Sequence, residues 1–151
     1  MITDNALKNY TTKIDPMRTA AEIDYILASN GATAIQKDIT NGQITALRFT
    51  VQTSLGLIPI QLPVNVEAVQ QILKKMREQK VRANIDYSKE QAARVAWRCL
   101  KSWVEAQMAL IQIGMATMDQ VFLPYVLNDE GKTLYEVARD SKFLLKERSE
   151  L

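Results

Sequence analysis

The side chains most able to do chemistry are cations. Lys74, Lys75, Arg77, Lys80 and Arg82 place five positive charges within nine residues, and Arg94, Arg98 and Lys101 follow at helical spacing, with Tyr87 and Trp97 among them. Cations neutralise phosphates, and an aromatic ring stacks on an unpaired base, so this mixture fits a nucleic-acid surface. A competing reading treats Trp97 and Trp103 as core anchors, Arg94, Arg98 and Lys101 as the solvated face of a helix, and the first group as a cationic helix end that complements the helix dipole. If the two groups share one side of the molecule, they form a single groove.

The rest of the inventory excludes more than it offers. There is no histidine and a single cysteine, Cys99, so zinc and haem ligand sets, His-dependent triads and an internal disulfide are all ruled out. Cys99 reads as an inert core thiol in a reducing compartment. Gly131-Lys132-Thr133 imitates the end of a phosphate-binding loop, but Val126 stands where the first glycine belongs, and no parallel strand precedes it. Asp129 and Glu130 are adjacent oxygen donors without a nuclease or polymerase arrangement around them. No cofactor or metal is called for, and nothing in the sequence argues positively for catalysis.

Charge is distributed unevenly. The chain of 151 residues carries 19 Lys and Arg against 17 Asp and Glu, a net +2. Residues 1–65 sum to zero, residues 66–101 to +5 and residues 102–151 to −3. Such asymmetry points to an anionic ligand, a nucleic acid, or attraction between copies of the chain. No apolar run approaches the roughly 18 residues that span a bilayer. Residues Met1 to Thr12 are polar and lack a signal-peptide core, so the expected location is the cytoplasm, without membrane contact.

These side chains must be positioned by recognisable elements. Thr11 to Ile14 alternates like a short strand, and Asp15-Pro16 then supplies an N-cap and a first-turn proline for a helix over about residues 16–29, stopped at Asn30-Gly31. Strands follow over 32–40 and 43–53, joined by Asn41-Gly42, and Ile58, Ile60 and Leu62 alternate along a third in which Pro59 favours an edge or bulge. In the second strand Leu47, Phe49 and Val51 oppose Ala46, Arg48 and Thr50, giving one core face and one wet face. Asn65 caps a helix with Val69, Ile72, Leu73 and Met76 inward. Ser88 with Gln91 opens the longest helix, about residues 89–113, striped by Ala93, Ala96, Leu100, Trp103, Gln107 and Leu110. Thr117 with Gln120 and Thr133 with Glu136 start two more helices, the last over about Leu134 to Lys146, with Leu134 and Tyr135 packing back onto Phe122 and Leu123.

The expected fold is therefore α+β: a β-α-β-β-β unit with a curved antiparallel sheet in residues 1–65, and a helical region of about four helices in residues 66–151. The two are lobes of a single domain.

The run from Gln91 through Val104 with Glu105-Ala106-Gln107, the segments Val121 to Tyr125 and Gly131 to Glu136, and Ala21-Glu22-Ile23 and Leu62-Pro63-Val64-Asn65 together resemble a family of small uncharacterised proteins of phages and mobile genetic elements, over residues 12–137. The resemblance brings no catalytic residues. It implies a setting of replication, recombination, repair and counter-defence.

Two functions are expected from these readings. The first is a non-enzymatic phage or mobile-element accessory protein that binds nucleic acid, single-stranded and with weak sequence preference, through Lys74, Lys75, Arg77, Lys80, Arg82, Arg94, Arg98 and Lys101, with stacking by Tyr87 or Trp97. The alternative is an interaction or assembly module, acting as a homo-oligomer or on a host protein, in which the apolar segment 121–127 is buried at an interface. A cationic pocket that sequesters a small signalling nucleotide is a third reading, on which the sequence is silent.

Overall fold

The computed structural model describes residues 7–82 and 84–141. It is mixed helix and sheet, with a three-stranded antiparallel sheet and five α-helices.

Helix α1 (Pro16–Ser29) begins where Asp15 accepts a 2.8 Å hydrogen bond from the Met17 N–H, and its apolar positions Ala20, Ile23 and Leu27 are buried. Strands β1 (Ala32–Thr40) and β2 (Gln43–Thr53) form a hairpin whose two turn residues, Asn41 and Gly42, both have positive φ, the twist-matched turn that this dipeptide favours. Strand β3 (Gly56–Gln61) completes the order β1-β2-β3. Leu47, Phe49, Val51, Ile58 and Ile60 face the core. On the opposite face Arg48 bridges Asp38 at 2.8 Å and donates to Gln61 at 2.9 Å, linking all three strands. Pro59 lies on the edge strand, where its missing N–H costs no ladder bond, and its carbonyl accepts from Leu127 at 2.9 Å.

The expected strand at Thr11 to Ile14 does not form. Its alternation is real, but a strand needs a neighbour, and here the buried side chain of Gln91 donates from Nε2 to the carbonyls of Tyr10 and Thr12, both at 3.0 Å. The N-terminal unit is thus α-β-β-β.

Helices α2 (Val66–Glu78) and α3 (Lys89–Gln112) are capped by Asn65 and Ser88. After α4 (Met118–Phe122) and one 3-10 turn, α5 (Leu134–Ser141) starts from a Thr133–Glu136 capping pair; the remainder of the helix expected to reach Lys146 lies outside the described residues. Leu134 and Tyr135 do not pack inward as expected. Tyr135 is 57% exposed, with the Arg139 guanidinium over its ring, and Ala138 takes the buried position.

Helix α3 is the common wall of two apolar clusters. Trp97, Leu100, Val104 and Met108 meet α1, the sheet and Phe122, whereas Ala92 and Val95 meet Leu73 and Met76 of α2 and Ile85. The inward stripe therefore differs from the expected one: Ala96 and Leu100 are buried, but Ala93, Gln107 and Leu110 are only partly so. A helix packed on several sides does not display a single apolar stripe.

Candidate nucleic-acid interface

The first basic group stands at the end of α2 because the helix stops there by a defined device. The N–H of Lys80 bonds the Arg77 carbonyl and the N–H of Val81 bonds the Met76 carbonyl, while Lys80 itself adopts φ +54°. This is the paired-bond helix stop normally built with glycine. Val81 then packs against the second cluster, beside Met76, and fixes the chain's exit.

Lys74, Lys75, Arg77, Lys80 and Arg82 are all exposed, and among the described residues none has a carboxylate within 4.0 Å. The Arg77 guanidinium lies 5.3 Å from the ring centroid of Tyr87, which is 37% exposed. Gln70 donates to the Tyr87 carbonyl at 3.2 Å and so ties this loop to α2. Cations and a partly open ring are thus held side by side.

The second group is arranged differently. Trp97 is 0% exposed, so the stacking role expected of it is excluded: its indole fills the space between α1 and the sheet. Arg94 donates from Nε to Gln91 Oε1 at 2.8 Å. Arg98 and Lys101 turn toward α1, where both reach Glu22, and Lys101 also meets Glu105. The Arg98 guanidinium beside Glu22 holds that carboxyl below its ordinary range. Replacing Arg94, Arg98 and Lys101 by glutamate therefore tests the α1–α3 contact as much as any ligand surface.

The α3 cations are turned away from the side of α3 that packs on α2. At about 100° per residue, Arg94, Arg98 and Lys101 sit on one side of α3, and the positions facing α2 (Ala92, Val95, Cys99) lie roughly 120° round, with Gln91 between. Residues 7–14 occupy that interval. The Cys99 thiol donates to the Lys8 carbonyl at 3.4 Å, Gln91 holds Tyr10 and Thr12, and Leu7 and Tyr10 pack on the second cluster. Burial pushes the Cys99 thiol above its ordinary range, but the residue is only partly buried, at the edge of the second cluster and not in the core position expected of it.

The long-range partners of Glu22 and Gln91 are not visible in the sequence. Arg18 four residues before Glu22 is the available local signal for an ion pair, but the partners that matter, Arg98 and Lys101, are 76 and 79 residues away. Gln91 looked like the second half of a capping box. Ser88 does accept from the Gln91 N–H at 3.2 Å, but the amide side chain is spent on Tyr10 and Thr12.

The segment 121–127 is used largely within the chain. Phe122 is buried, edge-on to Phe49 and Trp103 at 5.5 and 5.6 Å, and Val126 pairs with Ile60. Gly131-Lys132-Thr133 closes a tight loop in which Asn128 Oδ1 accepts from the Glu130 and Lys132 N–H groups, each at 2.9 Å. Among the described residues no group of three or more His, Cys, Asp or Glu side chains is placed to hold a metal ion, and no helix is long and apolar enough to cross a membrane. Compared with known protein families, curated proteins and solved structures, the chain has no match.

Proposed function

We propose that the protein is a non-enzymatic nucleic-acid-binding protein that engages single-stranded nucleic acid with little sequence preference through the end of α2 and Tyr87. The observation that carries this reading is the state of Lys74, Lys75, Arg77, Lys80 and Arg82: five exposed cations without a carboxylate partner among the described residues, next to a ring braced by one of them.

Phosphates of a strand are neutralised by the five cations, and a splayed base meets the open part of the Tyr87 ring. A base can meet that ring only when it is unpaired, which favours a single strand over a duplex. Readout of base edges plays no part, so preference among sequences is weak. The resemblance to phage and mobile-element proteins fits a role on exposed strands during replication or repair.

Fluorescence anisotropy with a labelled oligothymidylate, its duplex counterpart and an RNA of the same length tests this reading. Five phosphate contacts predict a slope of roughly −3.5 in the logarithm of affinity against the logarithm of salt. The triple variant K74E/K75E/R77E, with an unchanged circular-dichroism spectrum, is expected to lose at least about tenfold in affinity at low salt. Unchanged binding by that variant overturns the reading. Absence of binding by the wild type together with a concentration-dependent mass favours the assembly module.

A further inference from the structure

A second set of cations converges on the chain's own carboxylate. Glu22 Oε1 lies 3.5 Å from Arg18 Nε, and Oε2 lies 2.5 Å from Arg98 Nη1 and 3.3 Å from Lys101 Nζ. The second carboxylate at this seam, Glu105, sits 3.6 Å from Lys101 and is half-exposed. Three cations against two carboxylates leave an excess of one positive charge. The Arg98 and Lys101 side chains are only 18% and 19% exposed, so their charges are better shielded from salt than those of α2.

The site is open, not sealed. It forms a groove between α1 and α3 with Arg18, Ala21, Tyr25 and Ile26 along its α1 side, and the Glu22 side chain is 31% exposed. Tyr25, one helical turn beyond Glu22, is the most exposed large aromatic of the described chain. A groove lined by Arg18 and Lys101, with the exposed Tyr25 ring beside them, repeats the composition found at the end of α2.

We propose that this seam is a phosphate-binding site whose phosphate position is filled by Glu22, and that a nucleic-acid strand displaces Glu22 to recruit Arg18, Arg98 and Lys101. This deepens the nucleic-acid reading, on which it rests for the class of ligand. A phosphodiester offers two non-bridging oxygens that share one negative charge, as the two oxygens of a carboxylate do. Exchange therefore leaves each cation with an anionic partner and returns Glu22 to water that already reaches it. A strand anchored on α2 and long enough to pass residues 7–14 presents further phosphates to the seam within one molecule, which supplies the drive for exchange.

Three variants separate this site from general charge effects. E22Q removes the resident charge at nearly constant size, so the strand no longer has to displace a carboxylate, and it is expected to bind oligothymidylate about tenfold more tightly at low salt. E105Q changes the net charge equally in the same groove and is expected to move affinity less than about twofold. E22Q/R98Q is expected to return to wild-type affinity. Binding by E22Q no tighter than by E105Q overturns the proposal.

The K74E/K75E/R77E background distinguishes the two readings. If that triple variant abolishes binding and E22Q gains nothing in either background, the seam is refuted while the α2 surface stands; if E22Q restores binding there, the seam binds by itself. Should E22Q fail to fold, the unaltered protein still decides. Saturating oligonucleotide is expected to shift the side-chain NMR signals of Arg98 and Lys101, and unmoved signals overturn the proposal.

Discussion

Gln91 of α3 donates a 3.0 Å hydrogen bond to the backbone carbonyl of Tyr10, 81 residues earlier in the chain. With the second bond to Thr12 it turns a stretch that reads as a strand into a strap along α3, and this strap separates the two groups of cations. The Gln91 side chain also receives Arg94, so a single buried amide organises both the strap and one of the cations beside it.

Removing that amide should release the strap. Gln91→Ala leaves two carbonyls without their donor and is expected to cost about 1–3 kcal/mol in urea unfolding. Limited trypsin digestion is expected to cut after Lys8 and Lys13 several-fold faster than in the wild type. Equal cleavage rates would show that Leu7 and Tyr10 hold the segment without help from Gln91.

Lys80 occupies a left-handed position at the end of α2, with φ +54°. A side chain there costs about 1 kcal/mol that glycine does not incur. Lys80→Gly is therefore expected to raise the melting temperature by about 2–4 °C. It also removes one phosphate contact, so the salt slope of oligonucleotide binding should become shallower by roughly 0.7. Stability and affinity moving in opposite directions is the signature to look for.

Trp97 and Tyr87 should respond in opposite ways to truncation. Trp97→Ala opens a cavity in the core shared by α1, α3 and the sheet and is expected to cost about 3–5 kcal/mol. Trp97→Phe should fold and keep its affinity for oligothymidylate. Tyr87→Ala is expected to cost little stability and to weaken binding by about 1–3 kcal/mol, the worth of one stacked base. Anisotropy and urea melts on the three variants check the pattern.

Stability should fall on acidification. Hydrogen bonding from Arg98 lowers Glu22, the Ser88 backbone lowers Asp86, the Thr117 hydroxyl lowers Asp119, and the Thr133 backbone lowers Glu136. Each folded value lies below its unfolded one, so the stabilisation is fully present above about pH 5 and is lost as the pH falls through the folded values. Urea midpoints between about pH 3 and pH 6 should trace this decline. Glu22→Gln should flatten part of it, and an identical decline in that variant would show that Glu22 has no share.

Much of the architecture was legible because it depends on neighbours in sequence. Asp15-Pro16, Asn65 and Ser88 mark helix starts through bonds that reach two or three residues, and Asn41-Gly42 fixes the hairpin through its own backbone conformation. Thr11 to Ile14 was misread because alternation reports on side chains, while a strand is defined by where its backbone bonds go. The candidate site divides along the same line. The cations at the end of α2 are exposed by a local helix stop. The fate of Arg98 and Lys101 depends on Glu22 of another helix, and the burial of Trp97 depends on α1 and the sheet, contacts that no helical period encodes.

The two apolar clusters share α3, and this shapes how the molecule opens. Neither cluster can come apart without uncovering one side of that helix, so sub-global opening of the α2 side should stop at its boundary with α3. Amide hydrogens near Val95 to Val104 should then exchange only through complete unfolding, while those at the end of α2 exchange through small local excursions. The cationic end of the molecule is then expected to be its soft end, while the helix behind it stays closed.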